Sequence, residues 1–375
     1  MLPLRAPRLR SALLGLAAAA FSLPALAQDA NPIPPAELTD AAILPVMERA
    51  VDEVIRPGYR DLSTSATRLS QAVAAYCAAP SPDTRAAAHA AFDDTVAKWS
   101  FIEIVRDGPV LQQNRFERIL FYPDRKSTGL KQVQSLLAKA DEKDTDAAAL
   151  PGKSVAVQGL GALEYVLYGT GSDALDTGKD SFRCRFGAAV AENIAATANA
   201  LSAEWEKPDG VQKDWKHPGP DNPVFRDGKE AITALLGVLV HGAETIRDQR
   251  IESFYKGEDT PPRPKSAVYW RSGNTWKSIE GNLDGLNTLF RRSGMEELLD
   301  PGEASIAGSV EFVMKSLERT APKIDSDIEK AVTEPTERKK IDFLIINARD
   351  LVLRLSNDFG GAIGLGAGFS FSDGD

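Results

Sequence analysis

Glu164 is the residue whose setting most calls for chemistry. It interrupts an apolar run in which Val155, Val157, Leu160, Leu163, Val166 and Leu167 surround it on a predicted helix. A carboxylate in that company must meet a cation or hydrogen-bond donors, or else take up a proton. Glu164 is therefore a candidate ligand-binding or metal-binding residue. The plain alternative is a structural ion pair with an arginine such as Arg106 or Arg271. His241 and Glu244 lie three residues apart on another predicted helix, so they share a face and could both bind one metal ion. Otherwise they form a solvated polar face. The remaining histidines, His89 in an alanine-rich helix and His217 in a proline-rich loop, have no neighbouring set of ligands.

Several familiar sites are missing from the sequence. No histidine begins H-E-x-x-H, no G-x-S-x-G elbow occurs, and no phosphate-binding P-loop is found. Gly159-Leu160-Gly161-Ala162-Leu163-Glu164 comes near a dinucleotide fingerprint, but Glu164 stands where the third glycine belongs and no strand precedes it.

The elements that must position these residues are helices. Leu62, Ala66, Leu69, Val73 and Tyr76 form a narrow stripe suited to bundle packing. Ile341, Leu344, Ile345, Ala348, Val352 and Leu355 repeat it near the end of the chain, with Arg338, Lys339, Asp342 and Arg349 on the opposite face. Between them the pattern predicts helices near 83–106, 129–141, 154–168, 181–206, 226–255, 275–293, 302–320 and 325–333. Sustained period-two alternation is absent, so the fold class is all-α. The proline- and glycine-rich interval 208–224 is the candidate linker. It separates an N-terminal bundle over 38–207, which carries the Glu164 helix, from a C-terminal bundle over 225–375.

The first 27 residues read as an export signal. Arg5, Arg8 and Arg10 precede the apolar run Ala12 to Leu23, and Ala25-Leu26-Ala27 supplies a small-x-small cleavage pattern. Residues 28–37 then read as a flexible start to the mature chain. No cysteine near the cleavage point offers a lipid anchor, and no other stretch is apolar enough to cross a bilayer. The expected address is the periplasm or cell envelope. The formal net charge of −9 becomes more negative once the three arginines are removed, which argues against nucleic acid as a partner. Composition, with 43% hydrophobic and 26% charged residues, supports a substantial core. The two cysteines, Cys77 and Cys184, are free to pair in an oxidising compartment, the alternative being two buried thiols. In the chain-entropy model a loop of that order contributes roughly 4–5 kcal/mol, less any native strain.

Gln158-Gly159-Leu160-Gly161-Ala162-Leu163-Glu164-Tyr165-Val166-Leu167-Tyr168-Gly169 resembles the signature segment of the imelysin family of envelope proteins. Trp99 to Pro109, Tyr269-Trp270-Arg271-Ser272-Gly273-Asn274 with Asn282 to Leu286, and Gly368 to Asp375 resemble its other segments in order. Cys77 and Cys184 fall where such proteins often carry cysteines. The resemblance implies two packed helical bundles and a site on a G-x-H-x-x-E helix. Gly159 and Glu164 match the ends of that motif, but Gly161 stands at the histidine position and can neither ligate nor shuttle a proton. The resemblance to iron-regulated members implies a non-catalytic envelope protein tied to iron acquisition. Its ligand site would comprise Gly159, Gly161, Glu164, Arg271 and Ser272, with Arg271 and Ser272 orienting an anionic group. Asp373 and Asp375 could join Glu164 as hard oxygen ligands for iron or another divalent cation. The rival reading is a divergent metallopeptidase with a site rebuilt from carboxylates and a distant histidine such as His241. A third is a structural module that contacts an envelope partner.

Overall fold

The computed structural model describes residues 38–177 and 181–365. The export-signal residues, the segment 28–37, and Asp373 and Asp375 lie outside the described residues. Among those described, every regular element is helical.

Helix α1 (Asp40–Arg49) passes through a widened turn over Ala50–Ile55 into α2 (Arg56–Ala78). The widening has a local cause, because Pro57 has no N–H to offer the preceding turn and its ring crowds the carbonyl four residues back. Helix α3 (Pro82–Ile102) starts from a capping box in which Ser81 and Thr84 exchange side-chain and backbone hydrogen bonds, with Pro82 in the first turn. Short α4 (Arg115–Ile119) and α5 (Thr128–Lys139) lead to α6 (Leu160–Tyr168), which carries Glu164. After the single turn α7 (Ala174–Thr177) come the long α8 (Phe182–Glu206) and the short α9 (Val211–Lys216). Helix α10 (Gly228–Glu244) continues through a second widened stretch, Thr245–Ile251. The chain is completed by α11 (Thr275–Ser293), α12 (Ala304–Thr320), α13 (Ile328–Ala331), α14 (Pro335–Leu353) and, after Arg354–Phe359, α15 (Gly360–Ala362).

Helix α2 lies between α3 and α8, and α3 lies in turn against α11. The α3–α11 crossing is close because glycines face it. A Cβ on Gly281 would stand 2.7 Å from the Ser100 Cβ, and one on Gly285 would meet the Phe101 carbonyl. At that crossing Ser100 and Ser278 share a hydrogen bond of 2.9 Å, and Asn282 Nδ2 donates to the Ser100 carbonyl at 2.7 Å. Helix α1 packs on α10 and α11, so helices from both sides of 208–224 contribute to one continuous core. The 208–224 interval itself is more than a tether. It contains α9, whose buried Trp215 meets Trp205 at 5.8 Å and Phe225 at 5.6 Å between ring centroids.

The predicted helices at 83–106, 129–141, 181–206, 275–293 and 302–320 agree with the structure to within a few residues. The one predicted over 154–168 is shorter, because Ser154–Gln158 forms a tight turn and Gly159 is extended, so α6 begins at Leu160. Gly159 is forced there by close approach: a Cβ would collide with the carbonyls of Arg118 and Ile119. The stretch 325–333 reduces to the single turn α13.

Cys77 and Cys184 form a disulfide between α2 and α8, with Cα atoms 5.5 Å apart and a sequence separation of 107. Among the described residues no helix is long and apolar enough to cross a membrane.

Candidate functional site

Glu164 is 4% exposed, in the middle of α6. Its Oε1 accepts three hydrogen bonds of 3.0 Å, from the backbone amides of Arg271 and Ser272 and from the Ser272 hydroxyl. Its Oε2 is 4.0 Å from Arg271 Nη1. Burial pushes the carboxyl pKa up, and the Ser272 amide, the Arg271 charge, the Ser272 hydroxyl and the Arg271 amide oppose the shift.

The donors come from a turn that the sequence builds with effort. Tyr269 sits at φ +54, a region that bulky residues enter at a cost of about 1–3 kcal/mol. Gly273 at φ +74 completes the reversal, the Asn274 amide donates to the Tyr269 carbonyl, and Thr275 Oγ1 donates to the Val268 carbonyl at 2.6 Å. Successive amides thereby point at one oxygen, an arrangement that favours negative charge. The carboxylate clamps this turn against α6.

In front of the clamp is a cavity of about 160 Å³, several times the roughly 30 Å³ a water molecule occupies in the liquid. Gly159, Gly161, Glu164, Tyr165, Trp270 and Arg271 line it, together with Asp124, Arg125 and Lys265. Gly161 is exposed, and a Cβ built there would meet nothing within 4 Å, so the missing side chain leaves open space in the first turn of α6. The Arg271 guanidinium lies over the rings of Trp270, at 4.4 Å, and Tyr165, at 5.3 Å. Burial lowers its pKa, while Glu164 and Tyr165 pull the other way.

Among the sequence-predicted residues the structure brings Gly159, Gly161, Glu164, Arg271 and Ser272 together. Ser272 faces Glu164 with both its amide and its hydroxyl. The ion-pair partner is Arg271, whereas Arg106 pairs with Glu117 at 3.1 Å. His241 and Glu244 are elsewhere: Nδ1 and Oε2 are 3.0 Å apart, and the pair lines a separate cavity of about 330 Å³ beside Arg250 and Asn282. His89 packs on Tyr168 at 4.2 Å between centroids. Tyr165, Trp270, Arg125 and Lys265 escaped the sequence reading, although Tyr165 and Trp270 flank residues that it singled out.

The donor set is a poor fit for a metal ion. Position 161 offers no side chain, and the Glu164 oxygen that faces the turn already accepts three hydrogen bonds. Asp124, the other carboxylate lining the cavity, accepts from the amides of Thr128, Gly129 and Leu130 at the start of α5. Among the described residues no group of three or more His, Cys, Asp or Glu side chains is arranged to hold a cation.

Fold and site together define an all-helical protein with a buried carboxylate clamping a turn at the edge of a polar cavity. The family model for imelysin, the M75 peptidase family, matches residues 55–353, and the chain belongs to the imelysin family. Solved structures share the fold, two of them among the most similar. An imelysin-like protein from Psychrobacter arcticum 273-4 superposes with a TM-score of 0.72 at 16% identity, covering 90% of this chain and 100% of that one. A protein assigned as an iron-regulated protein A precursor, from Parabacteroides distasonis ATCC 8503, gives 0.69 at 14% identity, covering 88% and 95%. No curated relative matches the chain.

Proposed function

We propose that this protein is an exported, non-catalytic member of the imelysin family that binds a ligand in the service of iron acquisition. The observation that carries the reading is the state of Glu164. Its inner oxygen is engaged by the Arg271–Ser272 turn, so it positions that turn and is badly placed to act as a general base or as an open-site metal ligand. The glycine at 161 removes the imidazole that would stand one turn before it. A cavity with a fixed polar wall and no assembled catalytic set suits recognition better than hydrolysis. The likeness to an iron-regulated precursor supports the iron link, and the basic, apolar and small-residue segments at the N-terminus support export.

Deleting the gene and comparing growth with iron limiting and iron replete tests the role. Slower growth only under limitation is the expected result, and equal growth in both overturns it. Incubating the purified mature protein with a varied peptide pool tests the absence of catalysis. No cleavage is expected, and cleavage abolished by a chelator would establish a peptidase instead.

A further inference from the structure

We infer that the cavity beside Glu164 is a receptor for a small organic di- or tricarboxylate, and that iron enters it as the anionic chelate of such an acid. This rests on the binding-protein reading above and adds the class of ligand.

The charges on the cavity wall carry the argument. Two acids and three bases with opposite fates line it: Asp124, Glu164, Arg125, Lys265 and Arg271. Asp124 has both oxygens engaged by backbone amides at the start of α5, and Glu164 has its inner oxygen on the turn at 271–272 while its outer oxygen lies 4.0 Å from Arg271. Neither is left to neutralise a cation strongly. The three cations are much freer. Arg125 has no hydrogen-bond or ion-pair partner among the described residues. Lys265 meets Glu329 only at 3.4 Å in an exposed pair, which contributes little. The Arg271 side chain makes no hydrogen bond among the described residues, and its one ion-pair approach is the 4.0 Å contact with Glu164. The Tyr165 and Trp270 rings hold its guanidinium by their faces, which restrains the plane while leaving the N–H edge available.

A restrained guanidinium with free donors matches the fork of a carboxylate, and two further cations on the same wall favour an acid with more than one. A bare metal cation would face that positive wall, where the outer Glu164 oxygen already lies 4.0 Å from the Arg271 guanidinium. Acids of this class chelate ferric ion through several oxygens, so an iron-loaded ligand could still present negative oxygens to Arg271.

The test is calorimetric titration of the full mature protein with citrate, succinate, acetate, inorganic phosphate and ferric citrate, and with ferric, zinc and calcium ions added without an organic acid. Citrate should bind at least about tenfold more tightly than acetate or phosphate, the affinity should fall with added salt, and the bare ions should give no saturable heat. Arg271→Gln should weaken citrate by at least about tenfold, since one charge-assisted hydrogen-bonding group is lost. Lys265→Gln, on an exposed side chain, should weaken it by a smaller factor of about three. Phosphate binding as tight as citrate, ions binding where citrate does not, or unchanged citrate affinity in a folded Arg271→Gln variant would each overturn the assignment. The two readings fail separately: citrate binding without any iron-limited growth defect sinks the iron role alone, and a growth defect without citrate binding sinks the ligand class alone.

Discussion

Two carboxylates among the described residues, Glu103 and Glu164, are buried to nearly the same degree, and they are treated differently. Glu103, 5% exposed at the end of α3, meets the Arg250 guanidinium at 2.6 Å, and Asn282 Nδ2 donates to its other oxygen at 2.7 Å. Its partner Arg250 is itself only 3% exposed and lies over the Tyr122 ring. Glu164 meets two amides and a hydroxyl, with its nearest cation at 4.0 Å. The first is a closed ion pair knitting α3, the end of α10 and α11 together. The second stabilises its carboxylate chiefly with neutral dipoles and so leaves Arg271, 4.0 Å away, without a side-chain hydrogen bond among the described residues, at a cavity. Burial alone does not mark a functional acid; what distinguishes the two is whether the neighbouring cation is consumed.

The largest contrast should come from breaking the closed pair. Arg250→Met leaves Glu103 buried without its cation and should destabilise the fold by about 3–5 kcal/mol, read from urea melts. Adding Glu103→Gln to that variant should recover part of the loss, because the two sites are in contact. At the other carboxylate, Glu164→Gln should change stability by only about 1 kcal/mol, since the amide oxygen can still accept from the turn.

The pH dependence sharpens the same contrast. Burial, the leading cause, raises the Glu164 pKa above its ordinary 4.5. The folded state then holds the proton more tightly than the unfolded chain. The stabilisation from this group is complete below about pH 4.5 and is lost as pH rises through the folded value. Melting temperatures of the wild type relative to Glu164→Gln should therefore fall as pH is raised above 4.5, and a difference that grows in favour of the wild type would contradict the sign. The smallest effect is expected at Gly161→Ala. The backbone there is helical and a Cβ meets open space, so thermal melts should show a gain of about 0.5–1 kcal/mol.

Much of this was legible in the sequence. The stripe from Leu62 to Tyr76 gave α2, and the wholly apolar surroundings of Glu164 announced a carboxylate that needed donors. Helical spacing is a local signal, so such features survive without knowledge of the fold. The Arg-Ser pair at 271–272 could be named from resemblance, but its role could not, because it depends on the left-handed Tyr269 that aims two amides at one oxygen. The Glu103–Arg250 pair was invisible for a similar reason. It joins residues 147 apart in the chain, between the end of α3 and the stretch that continues α10. The short α9 was hidden by the prolines around it, which punctuate the backbone while Trp215 is drawn into the aromatic core.

The central claim is that Glu164 positions the turn at 271–272 and that Arg271, not the carboxylate, receives the ligand. Titrating Glu164→Gln with citrate tests it most directly. The account predicts a dissociation constant within about threefold of the wild type, because the turn keeps an acceptor and the cavity loses a negative charge. A loss of affinity of about tenfold or more in a variant that melts like the wild type would mean that the carboxylate itself binds, and the account would fail.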